Sequence, residues 1–322
     1  MRYLARRFLH ALFLLAATTV VTFLFTTLAP GNYFDEMRLN PQISSETMNA
    51  LKARHDLDKP LFVRYVLWIK SVARGEMGYS FAYNSPVWPL LEPRTRNTLL
   101  LTGTATLLAW LIALPLGIWS AEFKLRWPDR AITTASAILL VIPDIALALG
   151  LLLLGVRTRW FPAGGMASVG AESLPFLARV LDLLHHLALP VIILVLIAQP
   201  ILIRHVRAAV AEALDEGFMR AAEAHGIPRR RLLWRYALSA AANPLISLLG
   251  FSIGTLLSGS LLVEVITGWP GLGPFLLEAI LARDIYVVIG GVLFSTVFLI
   301  VGNFVADVLL FWADPRIRTG DA

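Results

Sequence analysis

The chain has 322 residues, 57% of them hydrophobic and only 16% charged, with a mean hydropathy of +0.70. About a quarter of the residues of an ordinary globular domain are charged, so this composition excludes a soluble fold and marks a membrane protein. The 28 Lys+Arg exceed the 22 Asp+Glu by six, but they fall between long apolar runs and form no basic face, which excludes nucleic acid as a partner. With no cysteine there is no disulfide framework, thiolate metal site or cysteine nucleophile.

A helix needs about 20 apolar residues to cross the hydrocarbon core. Six runs qualify, at residues 8–28, 99–119, 131–156, 187–203, 245–266 and 287–312. The first follows Arg2, Arg6 and Arg7 and imitates a leader peptide. It exceeds the usual apolar region of a leader and lacks a small-residue cleavage site, so it reads as an uncleaved span. Pro115, Pro143, Pro190 and Pro200 fall inside spans and predict bends.

Between the first and second spans, residues 44–54 and 60–72 show helical patterning, the first behind a Ser44/Ser45 cap, and predict a small helical cap outside the membrane. Residues 174–186 predict an amphipathic interfacial helix with Arg179 and Asp182 on its polar side. If the N-terminus is cytoplasmic, the cytoplasmic pieces hold 15 Lys/Arg and the two short outer loops hold only Arg157, Arg159, Arg179 and Arg283. That asymmetry predicts both termini inside.

No phosphate-cradling loop, zinc-protease motif or nucleophile elbow is present, so the chain has no hydrolytic signature of its own. His185 and His186 are adjacent and point two ways on a helix, which reads as interfacial histidine and not as a metal pair. Asp144, Glu264 and Asp307 lie in or at the edge of spans, where a carboxylate facing lipid costs about 2.5–3.5 kcal/mol. Asp307 is expected to be hydrated or paired near the end of its span, with Arg316 or Arg318. Asp144 and Glu264 are the candidates for a polar path.

Residues 204–243 form a long Ala-rich helical stretch interrupted by Gly217 and Gly226-Ile227-Pro228 and followed by Arg229-Arg230-Arg231. A loop that only fixes orientation needs a few charges. This one has the regularity of an element that docks on another protein and transmits force.

The stretch Arg220-Ala221-Ala222-Glu223-Ala224-His225-Gly226, continued to Pro244, resembles the EAA loop of binding-protein-dependent ABC importer permeases. It departs from the general pattern with Arg220 in place of glutamate and with Tyr236-Ala237-Leu238-Ser239 at the terminal motif. The Arg form is similar to the peptide/nickel branch. Further blocks agree in family order: Leu57-Asp58-Lys59-Pro60-Leu61, Gly75-Glu76-Met77-Gly78-Tyr79-Ser80, Val263-Glu264 through Trp269-Pro270-Gly271-Leu272-Gly273, Arg283-Asp284, and Asp307 with Asp314-Pro315-Arg316-Ile317-Arg318. Gly31-Asn32 stands where the family usually has Gly-Asp.

The resemblance implies an all-α membrane protein with six transmembrane helices, the type I ABC importer permease fold, and a helical periplasmic insertion after the first span. The expected parts are 1–30 (cytoplasmic tip and first span), 31–98 (extracytoplasmic segment), 99–313 (permease core with the coupling loop at 204–244) and 314–322 (cytoplasmic tail). The implied partners are a second homologous permease, two ABC ATPases, a solute-binding protein and the lipid bilayer of the cytoplasmic membrane. ATP and Mg would be bound by the ATPases, with no cofactor or metal in this chain. The implied cargo is di- or oligopeptide, with nickel or another small solute as the alternative; an ion-coupled secondary transporter is a separate rival. Arg220, Ala221, Ala222, Glu223, Gly226 and Ile227 are expected in the coupling elbow. Arg229, Arg230 and Arg231 are expected either to pair with the ATPase or to hold topology. Asp144, Glu264, Trp269, Pro270 and Gly271 are expected along the path, with Glu264 either meeting the solute or stabilising its turn.

Overall fold

The computed structural model describes residues 2–28 and 58–313. The helix expected at 44–54, the Gly31-Asn32 pair and the tail with Arg316 and Arg318 lie outside the described residues. Among the described residues, five helices are long and apolar enough to cross a membrane: α1 (Arg2–Leu28, apolar over Leu9–Thr26), α3 (Val87–Glu122), α6 (Phe176–Asp215), α8 (Ala242–Thr267) and α10 (Ile285–Ala313). A sixth span is a broken one, α4 (Trp127–Val141) and α5 (Asp144–Thr158), bent by 98°. The expected third span is therefore two helices at nearly a right angle. Pro143 has no N–H to continue the helix, and its ring drives Ile142 into extended backbone at φ −74°, ψ 122°.

Two predicted boundaries move because apolar counting sees only the membrane-embedded part of a helix. α3 begins twelve residues before position 99, through a polar stretch containing Glu92, Arg94 and Arg96. The separate interfacial helix at 174–186, the span at 187–203 and the start of the 204–244 loop are one 40-residue helix, α6, which runs through Pro190 and Pro200. At 1.5 Å per residue that is about 60 Å, twice the thickness of the hydrocarbon core.

The contacts divide the chain into two compact units, Met1–Thr98 with Pro270–Ile300 and Leu99–Trp269 with Val301–Ala322. In the first, α2 (Leu61–Val72) lies against α1 as its apolar spacing predicts. Thr19 Oγ1 and Tyr65 Oη are 3.0 Å apart, and Phe23 packs edge-on against Tyr65. The buried Trp68 donates its indole N–H to the Met77 carbonyl at 3.1 Å. A hairpin follows, β1 (Tyr79–Ser80) paired antiparallel with β2 (Ser85–Pro86). Strands of two residues are too short to leave a period in a sequence, and the fold remains helical as expected. α9 (Leu272–Leu281) completes the unit with the first part of α10.

In the second unit, α6 is the central helix and packs against α8, α4 and α5. α3 contributes Leu101, Ala105, Ala109 and Ala113, all at 0% exposure and spaced four apart, so one narrow ridge of small side chains is buried. Small residues set the approach elsewhere too. A Cβ on Gly117 would come within 2.5 Å of Val206, and one on Gly250 within 2.7 Å of the Ala306 methyl.

Candidate functional site

The helical elbow after α6 is built by three signals. α6 ends at Asp215, and Glu216 turns extended (φ −67°, ψ 147°) and starts α7 (Gly217–Ala224). On α7, Met219 is buried in a cluster with Ile118, Val206, Val210, Leu232 and Ala237, and Ala222 packs against the same cluster. The remaining face, Phe218, Arg220, Ala221, Glu223 and Ala224, is exposed. α7 is thus pinned along one edge and presents two alanines, a phenylalanine and an arginine outward. Small side chains there let another backbone come close.

The stop signal is Gly226. Its N–H bonds to the Glu223 carbonyl at 2.9 Å, and the Ile227 N–H reaches back to Ala222 at 3.3 Å. This is the paired closure of a Schellman motif, with Gly226 in the left-handed region at φ +76° and Ile227 and Ala222 both packed on one apolar cluster. Pro228 then starts a helical run over residues 229–240, π-wound over Leu232–Ala237, which leads into α8. Arg229 contacts Glu122 and Glu223, each at 3.6 Å, so it is engaged within the chain, while Arg230 and Arg231 are exposed.

The elbow is also tied to the end of α3 by an arrangement that sequence reading missed. Asp129, 3% exposed at the start of α4, receives Nε and Nη2 of Arg207 at 2.6 and 2.7 Å. It also accepts the Ser120 hydroxyl at 2.5 Å and the Leu125 N–H at 2.8 Å. Lys124 meets Asp215 at 3.2 Å on the surface beside it. Arg207 lies 78 residues from Asp129, so no local pattern announces the pair.

Asp144 is exposed in the first turn of α5, at the break in the third span. Glu264 and Trp269 are both at 0% exposure, and Trp269 belongs to the apolar core of its unit. Glu264 packs at the end of α8, next to the turn it was expected either to stabilise or to join to the solute. Gly268 at φ +63° ends α8, its N–H and that of Trp269 both capping the Glu264 carbonyl. Its own carbonyl accepts the Gly165 N–H at 3.2 Å. Pro270 is exposed and its carbonyl accepts the Asn97 amide at 2.8 Å, and Gly271 is buried. Asp307 is buried in α10. His185 bonds the Trp160 carbonyl and His186 the Asp182 carbonyl, both at 2.8 Å, so the histidine pair is used structurally.

In the first unit, Asp284 is the best-built polar centre. Fully buried, it accepts Ser80 Oγ at 2.6 Å and the Ala82 N–H at 3.1 Å, pinning the hairpin to the start of α10. Burial pushes its carboxyl above the ordinary range, against the pull of those hydrogen bonds. Nearby, Tyr83 donates to Glu278 at 2.5 Å, and burial followed by that carboxylate raises the phenol to about 12. Neither pairing is legible from sequence, since the partners lie some 200 residues apart.

A family model described as the binding-protein-dependent transport system inner membrane component matches residues 113–319, and a companion model for the N-terminal part of such membrane components matches residues 1–102. The chain is 33% identical to the oligopeptide transport system permease protein AppB of Bacillus subtilis (strain 168), over 98% of this chain and 99% of that one. It is 32% identical to the di/tripeptide transport system permease protein DppB of Pseudomonas aeruginosa (strain UCBPP-PA14), covering 93% and 94%. Among solved structures, an inward-facing form of the MetNI methionine ABC transporter matches with a TM-score of 0.57 at 19% identity, over 70% of this chain and 96% of that one, a likeness of fold. The elbow, the spans and these matches agree: the chain belongs to the family of inner membrane components of binding-protein-dependent transport systems.

Proposed function

We propose that this chain is one half of the translocation path of an ATP-driven importer of di- or oligopeptides, worked by ATPase subunits that dock on α7. The observation that carries this reading is the elbow itself. A short helix fixed along its Met219 edge, closed by a Schellman turn and joined directly to the long α6 is a rigid lever with an exposed small-residue face. A membrane protein that moves cargo against a gradient without a nucleotide site of its own needs such a lever to receive work.

Two ATPases would bind ATP and Mg on the cytoplasmic side, where the basic segments and both termini lie by the charge asymmetry. A second homologous permease would complete the path and a solute-binding protein would deliver cargo outside. Arg220, Ala221 and Glu223 form the docking face, Ala222 seats it on the cluster behind, and Gly226 and Ile227 form its stop. Asp144, exposed at the helix break, is the carboxylate best placed to meet a cationic group of the cargo in the assembled path. Glu264, Trp269, Pro270 and Gly271 are proposed to belong to the same path. The peptide assignment rests on the names of the relatives, whose alignments cover nearly the whole chain.

The test is reconstitution of the permease pair with its ATPases and binding protein in vesicles, supplied with a tryptic casein peptide mixture read by mass spectrometry. ATP-dependent, vanadate-sensitive accumulation of peptides is expected. Accumulation by this chain without ATPases would refute the reading, and ATP-dependent uptake of nickel but of no peptide would overturn the cargo.

A further inference from the structure

We infer that the Asp129–Arg207 pair is the strut through which movement of the elbow reaches the broken third span, a role that rests on the coupling reading above. Three ionic ties join the end of α3 and its following turn to the elbow region, and they are not equal. Lys124–Asp215 is exposed on both sides, 51% and 74%, and Arg229–Glu122 is at 3.6 Å. An exposed pair such as Lys124–Asp215 contributes about 0–1 kcal/mol and holds no fixed geometry, and the half-buried Arg229–Glu122 contact is too long for a hydrogen bond. Asp129 is different. Its carboxylate is buried, gripped by two parallel guanidinium N–H groups, and loaded further by Ser120 and the Leu125 N–H, so its position and that of Arg207 are mutually determined.

The path of force is short. Arg207 lies about two turns before the end of α6, and α7 begins directly after it. Asp129 lies in the first turn of α4, which ends at the 98° break before Asp144. A rotation or slide of α6 imposed at α7 therefore drags the start of α4 through one bidentate contact. The close approach of Gly117 to Val206, the neighbour of Arg207, leaves α6 no slack against α3 at that level.

A buried ion pair is weak evidence for stability, because well-packed apolar residues in its place are often neutral or stabilising. What apolar residues cannot supply is the angular registration of a bidentate fork. Arg207 and Asp129 are thus assigned as positioning residues for transport, not as groups that touch cargo.

That distinction supplies the experiment. In the full reconstituted importer, peptide accumulated per ATP hydrolysed is measured for Asp129→Leu/Arg207→Met, for Arg207→Lys and for the wild type, with ATPase co-purification and the thermal midpoint of each complex. The double apolar variant leaves the Ser120 hydroxyl and the Leu125 N–H without their acceptor, so its midpoint is expected to fall modestly; it is expected to keep its ATPases while the peptide-to-ATP ratio falls at least tenfold, and Arg207→Lys is expected to lose less. A wild-type ratio in the double variant would overturn the strut while leaving the coupling reading intact. Should the double variant fail to assemble, Arg207→Lys decides: an unchanged ratio in its assembled complex overturns the proposal. A wild-type complex that binds no ATPase would bring down both readings.

Discussion

Gly226 allows the sharpest test of the elbow, because its substitution isolates one physical term. A Cβ added there meets nothing within 4 Å, so the cost is not a clash with neighbours. It is the backbone: at φ +76° an L-residue is disfavoured by about 1–2 kcal/mol, Asn less and a β-branched residue more. That energy bears on the two closing bonds, Gly226 to Glu223 and Ile227 to Ala222, and a bias of about 1–2 kcal/mol shifts the closed-to-open ratio of the turn roughly 5- to 30-fold. The series Gly226→Asn, Gly226→Ala, Gly226→Val in the reconstituted importer should lower peptide uptake in that order. Membrane insertion should be unchanged, and the Ile227 amide should exchange faster in the same order. Wild-type uptake by Gly226→Val, or a loss that ignores the order, would refute the reasoning.

Three further outcomes follow from the packing and the polar centres. Gly117→Ala places a methyl 2.5 Å from Val206 and should lower the thermal midpoint by the equivalent of about 1–3 kcal/mol, with Val206→Ala on top recovering part of the loss; a loss that adds would show that the two sites do not touch. Asp284→Ala leaves the Ser80 hydroxyl and the Ala82 N–H without their acceptor, about 1–3 kcal/mol for each, and should destabilise more than Asp284→Asn while speeding exchange at Ala82; an unchanged Ala82 amide would contradict the pinned hairpin. The Tyr83 phenol titrates near 12 instead of 10.0, so its contribution to folding is full below pH 10 and is lost as pH rises from there through about 12. In an ultraviolet titration differenced against Tyr83→Phe, Glu278→Gln should bring that step down, and an unmoved step would remove Glu278 as a cause.

The number of spans, their order, the break at Pro143 and the turn at Gly226 were all legible in the amino-acid sequence, because each depends on local chemistry: hydrocarbon thickness, a missing N–H, a conformation open to glycine. The helix α7 ahead of that glycine was legible for the same reason, as a local run of small residues closed by a glycine. What lay beyond the sequence was how far a helix runs unbroken past the bilayer, such as the first twelve residues of α3 and the continuity of α6 through the expected ends at 186 and 203, since hydropathy records only the lipid-facing length. Only the tertiary structure decided that Glu264 and Trp269 are packed away, that Asp284 holds the hairpin, and that Arg207 grips Asp129. Those facts depend on which helix faces which, and pairings between residues 78 or 204 apart leave no trace in the spacing along the chain.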